Sequence, residues 1–271
     1  MLLVPSPLVE GDQGEGSVCS VEQQLDPENY HPSTQPSPAR GEGENGATNM
    51  DHTSKQFELE LEDLRSGLLA MGGLVEAQLE RALEAIASGE EELVDVVIRE
   101  EKRVNDKQLE LDRKGMEVIA RRQPAAVDLR QIMCTLQAVN DLERIGDEIK
   151  KIALRAQQFQ ASERFKTLRL NEVKHIGTLA QDMLKEALNA FARLDVISAS
   201  EVIARDIAVD EEFERIMRLL VSYMMEDPRT ISAGLDVAFL AKAIERVADH
   251  AKNISEYVIH IVQGQDPRHA G

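Results

Sequence analysis

The sequence predicts an all-α protein of two tandem three-helix bundles, with six long antiparallel helices. Three observations predict it. Beyond residue 50, apolar residues recur at three- and four-residue spacing almost throughout, the mark of amphipathic helices. Aromatic residues make up 3% of the 271 positions and Trp is absent, so the core must be aliphatic, and strand formers are scarce. The pattern also repeats after about 100 residues, with no alternating stretch of the strand type.

The chain divides at about residue 50. Six of the nine prolines (Pro5, Pro7, Pro27, Pro32, Pro36 and Pro38) precede residue 39. Residues 1–50 hold eight acids and one base, Arg40; they carry −7 of the net −18 and leave −11 for the rest. Such a segment cannot bury enough surface to offset its ordering entropy, so residues 1–50 are expected to be disordered. Pro5-Ser6-Pro7 and Pro36-Ser37-Pro38 each lead into a glycine-rich run, like translated non-coding sequence. Met50 is therefore the expected native start.

The first helix is expected over 53–87, stopped by Ser88-Gly89. Gly72-Gly73 inside it implies a bend or a close helix contact. The second covers 90–121. Pro124 opens the third, 125–159, because a first turn does not need the missing N–H. The fourth covers 164–194. Ser198 or Ser200 caps the fifth, 199–225. Pro228 opens the sixth, 229–263, which stops at Gly264 and Pro267. Short connections make neighbours antiparallel. The bundles are expected at 51–160 and 161–271. Met71, Met133, Met183, Met217, Met224, Met225 and Cys134 read as core residues, and His250 as a surface histidine.

Several classes are excluded. Two cysteines, Cys19 and Cys134, do not make a disulfide scaffold. No apolar run approaches the roughly 18–20 residues of a membrane span. The first ten residues contain no base, unlike a secretory signal, so the chain is expected in the cytoplasm. A charge of −18 is the wrong sign for a phosphate-backbone binder.

The repeat carries the chemistry. Glu143-Arg144-x-x-Asp147 recurs 102 residues later as Glu245-Arg246-x-x-Asp249. Glu101-x-x-x-Asn105 has its counterpart 105 residues on, in Asp206-x-x-x-Asp210. Acids four apart share one helix face, and their repulsion costs a few tenths of a kcal/mol unless compensated. A hard or borderline cation such as Mg²⁺, Mn²⁺ or Fe would compensate. One such pair means little in an acid-rich chain; matched pairs in both repeats mean more. On the third helix Glu143 and Asp147 lie opposite the apolar stripe of Leu142, Ile145, Ile149 and Ile152. On the sixth, Glu245, Asp249, Asn253 and Glu256 lie opposite Ile244, Val247, Ala251 and Ile254. Glu101 and Asn105 instead continue the row of Val94, Ile98 and Leu109, and Asp206 and Asp210 share a face with Phe213 and Met217. Helices two and five are therefore expected to turn these rows towards the carboxylates of three and six, forming one cluster per bundle. The alternative is a set of rim carboxylates held by Arg103, Arg144, Arg205 and Arg246.

These motifs, with Asp128-Leu129-Arg130 after Pro124 and Asp249-His250-Ala251-Lys252-Asn253-Ile254-Ser255-Glu256, resemble the PhoU family of bacterial phosphate-signalling regulators. The resemblance covers about 53–264 and implies the same two-bundle fold. It implies metal ions, divalent or trivalent (Fe, Zn, Mn or Mg), held at Glu101, Asn105, Glu143, Asp147, Asp206, Asp210, Glu245 and Asp249. Asn105 departs from the family's acid there and weakens the first cluster. Gly146 and Ala248 are small and are expected to leave room beside the acids. The implied function is negative regulation of phosphate uptake and of the phosphate-starvation response. The implied partners are the phosphate ABC transporter ATPase, a phosphate-sensing histidine kinase and a second copy in a homodimer. Neither nucleic acid nor direct membrane insertion is implied, and no catalysis. Two other readings remain. A carboxylate-bridged metalloenzyme would need two Glu-x-x-His motifs, and only Glu172-x-x-His175 is present. A metal-free helical scaffold explains the helices but not the matched motifs.

Overall fold

A computed structural model describes residues 46–160 and 171–265, with side chains placed over 55–157 and 171–265. Expectations for residues 1–45, Cys19, Pro267 and the opening of the fourth helix at 164 fall outside these residues. The described residues form α1 (Gly46–Ser88), α2 (Glu91–Arg122), α3 (Ala126–Gln160), α4 (Asn171–Arg193), α5 (Val196–Glu226) and α6 (Ile231–Gln263). A single 3₁₀ turn, Pro228–Thr230, leads into α6.

Two boundaries correct the expectations. α1 begins at Gly46, so the last five residues of the segment expected to be disordered are helical. No proline follows Pro38 there, and an established helix extends cheaply into such residues once nucleated. The cap of α5 is Asp195, not Ser198 or Ser200. Its carboxylate accepts from the backbone N–H groups of Ile197 and Ser198, and the Ser198 hydroxyl donates to its second oxygen. These bonds favour the ionised form and hold the Asp195 carboxyl below its ordinary range. Ser200 lies inside the helix, donating to the Val196 carbonyl.

Each bundle is built on its third helix. α3 packs against α1 and α2, α6 against α4 and α5, and α3 and α6 run side by side as the seam. The stripes of Leu142, Ile145, Ile149 and Ile152 and of Ile244, Val247, Ala251 and Ile254 are fully buried. Each such large aliphatic side chain contributes about 1.5–3 kcal/mol. α6 is enclosed on more sides than its periodicity implies, and Glu245, Ser255 and Glu256 are buried too. Of the methionines, Met71 and Met183 are buried, Met217 and Met224 partly so, and Met133 and Met225 stand exposed. Leu109 is also exposed and does not continue the buried row of α2. Cys134 is buried, as expected.

The glycine pair in α1 divides its roles. A Cβ at Gly72 would lie 2.7 Å from Leu188 Cδ2 of α4, whereas nothing stands within 4 Å of one at Gly73. Gly72 thus permits a close approach between the first helices of the two bundles. Gly146 faces inward: a Cβ there would meet Val104 Cγ1 at 3.4 Å and Gln78 Oε1 at 3.5 Å. Ala248 is fully buried as well. Both small residues therefore lie on buried faces of their helices. No helix among the described residues is long and apolar enough to cross a membrane.

Candidate carboxylate site

The first group of acids lies where α2 meets α3. Glu101 and Asn105 project from α2 one turn apart, and the Asn105 amide donates to Glu101 Oε1 at 3.1 Å. Glu143 and Asp147 project from α3 towards them. Burial raises the pKa of Glu143, and the charges of Asp147 and Glu101 raise it further, against Arg144 and His250. Oδ1 of Asn105 is buried and has no hydrogen-bond partner.

The second cluster repeats the first. Asp206 from α5 is 4% exposed, and Glu245 from α6 is 7% exposed. Burial pushes Asp249 up to about 6, with Glu245, Asp206 and Asp210 adding to the shift and Lys242 opposing it. One oxygen of Glu245, Oε2, is buried and unpartnered. Glu101, Asn105 and Glu143 thus stand near one another in the first bundle, with Asp147 beside Glu143 on α3, and Asp206, Asp210, Glu245 and Asp249 do so in the second.

Lysines form the ion pairs with these acids, and Arg144 adds only its nearby charge at Glu143. Lys150 lies 3.1 Å from Glu101, Lys252 pairs with Asp206, and Lys242 pairs with Glu245. Lys150 and Lys252 are 102 residues apart and so occupy equivalent positions. Of the arginines considered as partners, Arg205 pairs with Glu186 and Arg246 with Glu148, neither a cluster acid. Arg103 and Arg144 are exposed.

Among the described residues, no three histidines, cysteines or acids already stand at coordinating spacing. The donor set still suits a hard cation. It consists of oxygens, two of them buried without a partner, and two of the acids are strained by like charge.

The sequence reading missed Asp141. This residue is 3% exposed and accepts from His250 Nδ1 at 2.7 Å, the Asn253 amide at 3.3 Å and the Tyr257 hydroxyl at 2.8 Å. His250 is thus tied into the seam and is not a free surface histidine. The available signal was an acid beside the core residues Val139 and Leu142, where the other repeat has Ala243. Above this network a cleft of about 410 Å³ opens between α3 and α6. Arg144 and Arg246, Asp147 and Asp249, and Glu148 and His250 line it as three repeat-related pairs, so both clusters reach one cleft.

Comparison with known proteins agrees with this architecture. The PhoU domain family matches residues 68–156 and again 173–258. The chain is 47% identical over 221 residues to a phosphate-specific transport system accessory protein PhoU homolog of Pseudomonas aeruginosa, covering 81% of this chain and 90% of that one. It is 40% identical over 220 residues to the phosphate-specific transport system accessory protein PhoU of Escherichia coli, covering 81% and 90%. The crystal structure of PhoU from Pseudomonas aeruginosa superposes with a TM-score of 0.74 at 45% identity, over 77% of this chain and 100% of that one. The regulatory protein PhoU from Streptococcus pneumoniae gives 0.72 at 27% identity, over 78% and 98%. With the repeat, the six helices and the paired motifs in agreement, the chain belongs to the PhoU family.

Proposed function

We propose that this protein is a non-enzymatic negative regulator of phosphate uptake and of the phosphate-starvation response. It acts in the cytoplasm, as a homodimer, through contacts with the phosphate transporter ATPase and a phosphate-sensing histidine kinase. The observation that carries this reading is similarity to phosphate-specific transport system accessory proteins over 81% of this chain and 90% of theirs. An accessory role suits a molecule whose most distinctive groups are charged side chains along helix faces. Each bundle binds a divalent or trivalent ion (Fe, Zn, Mn or Mg). Glu101, Asn105, Glu143 and Asp147 hold one, and Asp206, Asp210, Glu245 and Asp249 hold the other. The ion supplies positive charge where lysines now supply it. Asn105 brings one neutral oxygen, so the first cluster is the weaker. Deleting the gene tests the reading. Alkaline phosphatase in phosphate-rich medium should become constitutively high, and residues 50–271 should restore repression. Unchanged activity, with no other copy of the gene present, overturns it.

One observation favours a metal-free scaffold as the second reading. Lys150, Lys242 and Lys252 already pair with cluster acids without an ion. Metal analysis of protein purified from the source organism separates the two. Metal that is lost on replacing both Glu143 and Asp147, or both Glu245 and Asp249, by Ala supports the ion sites.

A further inference from the structure

The groove between α3 and α6 has repeat-related ends that differ in chemistry. A step of 102 residues takes Gln137 to Phe239, Asn140 to Lys242, Asp141 to Ala243 and Arg144 to Arg246. At the first end, Asp141 gathers hydrogen bonds from His250, Asn253 and Tyr257 and is satisfied internally. At the other end Ala243 stands in its place, and a second cleft of about 230 Å³ opens. Lys151, Arg155, Lys242 and Arg246 line it with Glu148 and Phe239.

This end is cationic on a chain whose net charge is −18. Lys242 is taken up by Glu245, and the remaining ion pairs are shared or long. Glu148 is shared between Lys151 at 2.9 Å and Arg246 at 3.3 Å, and Arg155 meets Asp236 only at 3.5 Å. It is also apolar on the outside. Phe239 is 55% exposed with the Arg155 guanidinium 4.7 Å above its ring, and Leu235, one turn earlier, is 47% exposed. The other end of the groove is held instead by the hydrogen bonds to Asp141.

On the reading of the chain as a regulator that works by protein contacts, the geometry points to this end of the groove as the docking surface for an acidic protein segment carrying an apolar or aromatic anchor. The segment's carboxylates pair with Lys151, Arg155 and Arg246, and its anchor packs on Phe239 and Leu235. Nucleic acid or an anionic bilayer fits poorly. Its uniform negative charge would meet Glu148, Asp236 and Asp249 between the cations, on a chain that repels it overall. A folded or folding protein segment can set its own charges between them.

The test uses the purified full chain with the purified phosphate transporter ATPase and, separately, the cytoplasmic part of the phosphate-sensing kinase. Binding is read by biolayer interferometry at low and high salt. Phe239→Ser and Lys151→Glu should each weaken binding to at least one partner about tenfold or more. Lys151→Glu should also make the salt dependence shallower. Arg113→Glu, a charge reversal on α2 at a site 69% exposed, should bind like the unchanged chain. Phe239→Ser leaves every ion pair in place, so it carries the test if a melt shows Lys151→Glu to be unfolded. Unweakened binding by the folded groove variants, or equal loss in Arg113→Glu, overturns the docking surface and leaves the regulatory reading standing. Failure of the unchanged chain to bind either partner overturns both.

Discussion

Lys252 extends its ammonium group across the seam between α5 and α6 to the buried carboxylate of Asp206. Its counterpart Lys150 does the same for Glu101 between α2 and α3. A buried or half-buried acid is thus neutralised from the neighbouring helix at the same place in both repeats. Lys252→Met removes the neutralising charge and strands Asp206, which should cost about 3 kcal/mol in metal-free protein. Urea unfolding measures it. Millimolar Mn²⁺ should recover part of the loss in this variant, because an ion takes the position the ammonium left. Recovery by Na⁺ at equal ionic strength would sink that explanation.

Asp249 gives the second bundle a pH-dependent contribution to stability. Its carboxyl titrates near 6 in the folded chain because burial and the neighbouring acids disfavour its charge. The unfolded chain loses this proton at a lower pH, so between about pH 4 and 6 the folded state holds more protons. The resulting stability is complete below the unfolded pKa and is lost as pH rises through about 6. Asp249→Asn should remove that loss. The metal-free variant should be more stable than the unchanged chain at pH 7.5, by about 1 kcal/mol after solvent screening, and no more stable at pH 4. Unfolding curves at the two pH values check the sign.

The two glycines of α1 should respond oppositely to alanine. Gly73→Ala meets nothing within 4 Å and should stabilise by about 0.5–1 kcal/mol through helix propensity. Gly72→Ala drives a methyl group to 2.7 Å from Leu188 and should cost about 1–3 kcal/mol. Thermal melts of the two variants under one condition give the comparison. Equal shifts would show that the α1–α4 approach is looser than described.

Asp141 should matter to stability more than its place in the sequence suggests. Asp141→Ala leaves the His250, Asn253 and Tyr257 donors without their acceptor and should cost about 3 kcal/mol or more. Tyr257→Phe removes one of these bonds and should cost about 1–2 kcal/mol. A double-mutant cycle between positions 141 and 257 reads the coupling directly.

The helices were legible because their signals are local: spacing of apolar residues, glycine stops and prolines at the openings. The pairing of the carboxylates was legible for another reason. A repeat lets one half of the chain test the other, so Glu143 and Asp147 gain meaning from Glu245 and Asp249. Lys150 and Lys252 also match across the repeat, but lysines on an acid-rich helix look like ordinary surface charge until their partners are known. Asp141 was hidden because it breaks the repeat, and its donors come from more than 100 residues away. The Asp195 cap escaped notice because two serines nearby offered the same chemistry. Gly146 is beside the acids in helix phase, yet its Cα faces Val104 of α2, which only the packing of α2 on α3 reveals.

The hydrogen bonds around Asp141 also bear on the history of the chain. The carboxylate lies in the first repeat and its three donors lie in the second. A duplicated gene begins as two self-sufficient copies. Once one copy holds an acid that only the other can satisfy, cutting the chain between them strands a charge on one fragment and orphaned donors on its sibling. Two half-length polypeptides would therefore restore these bonds only by reassociating.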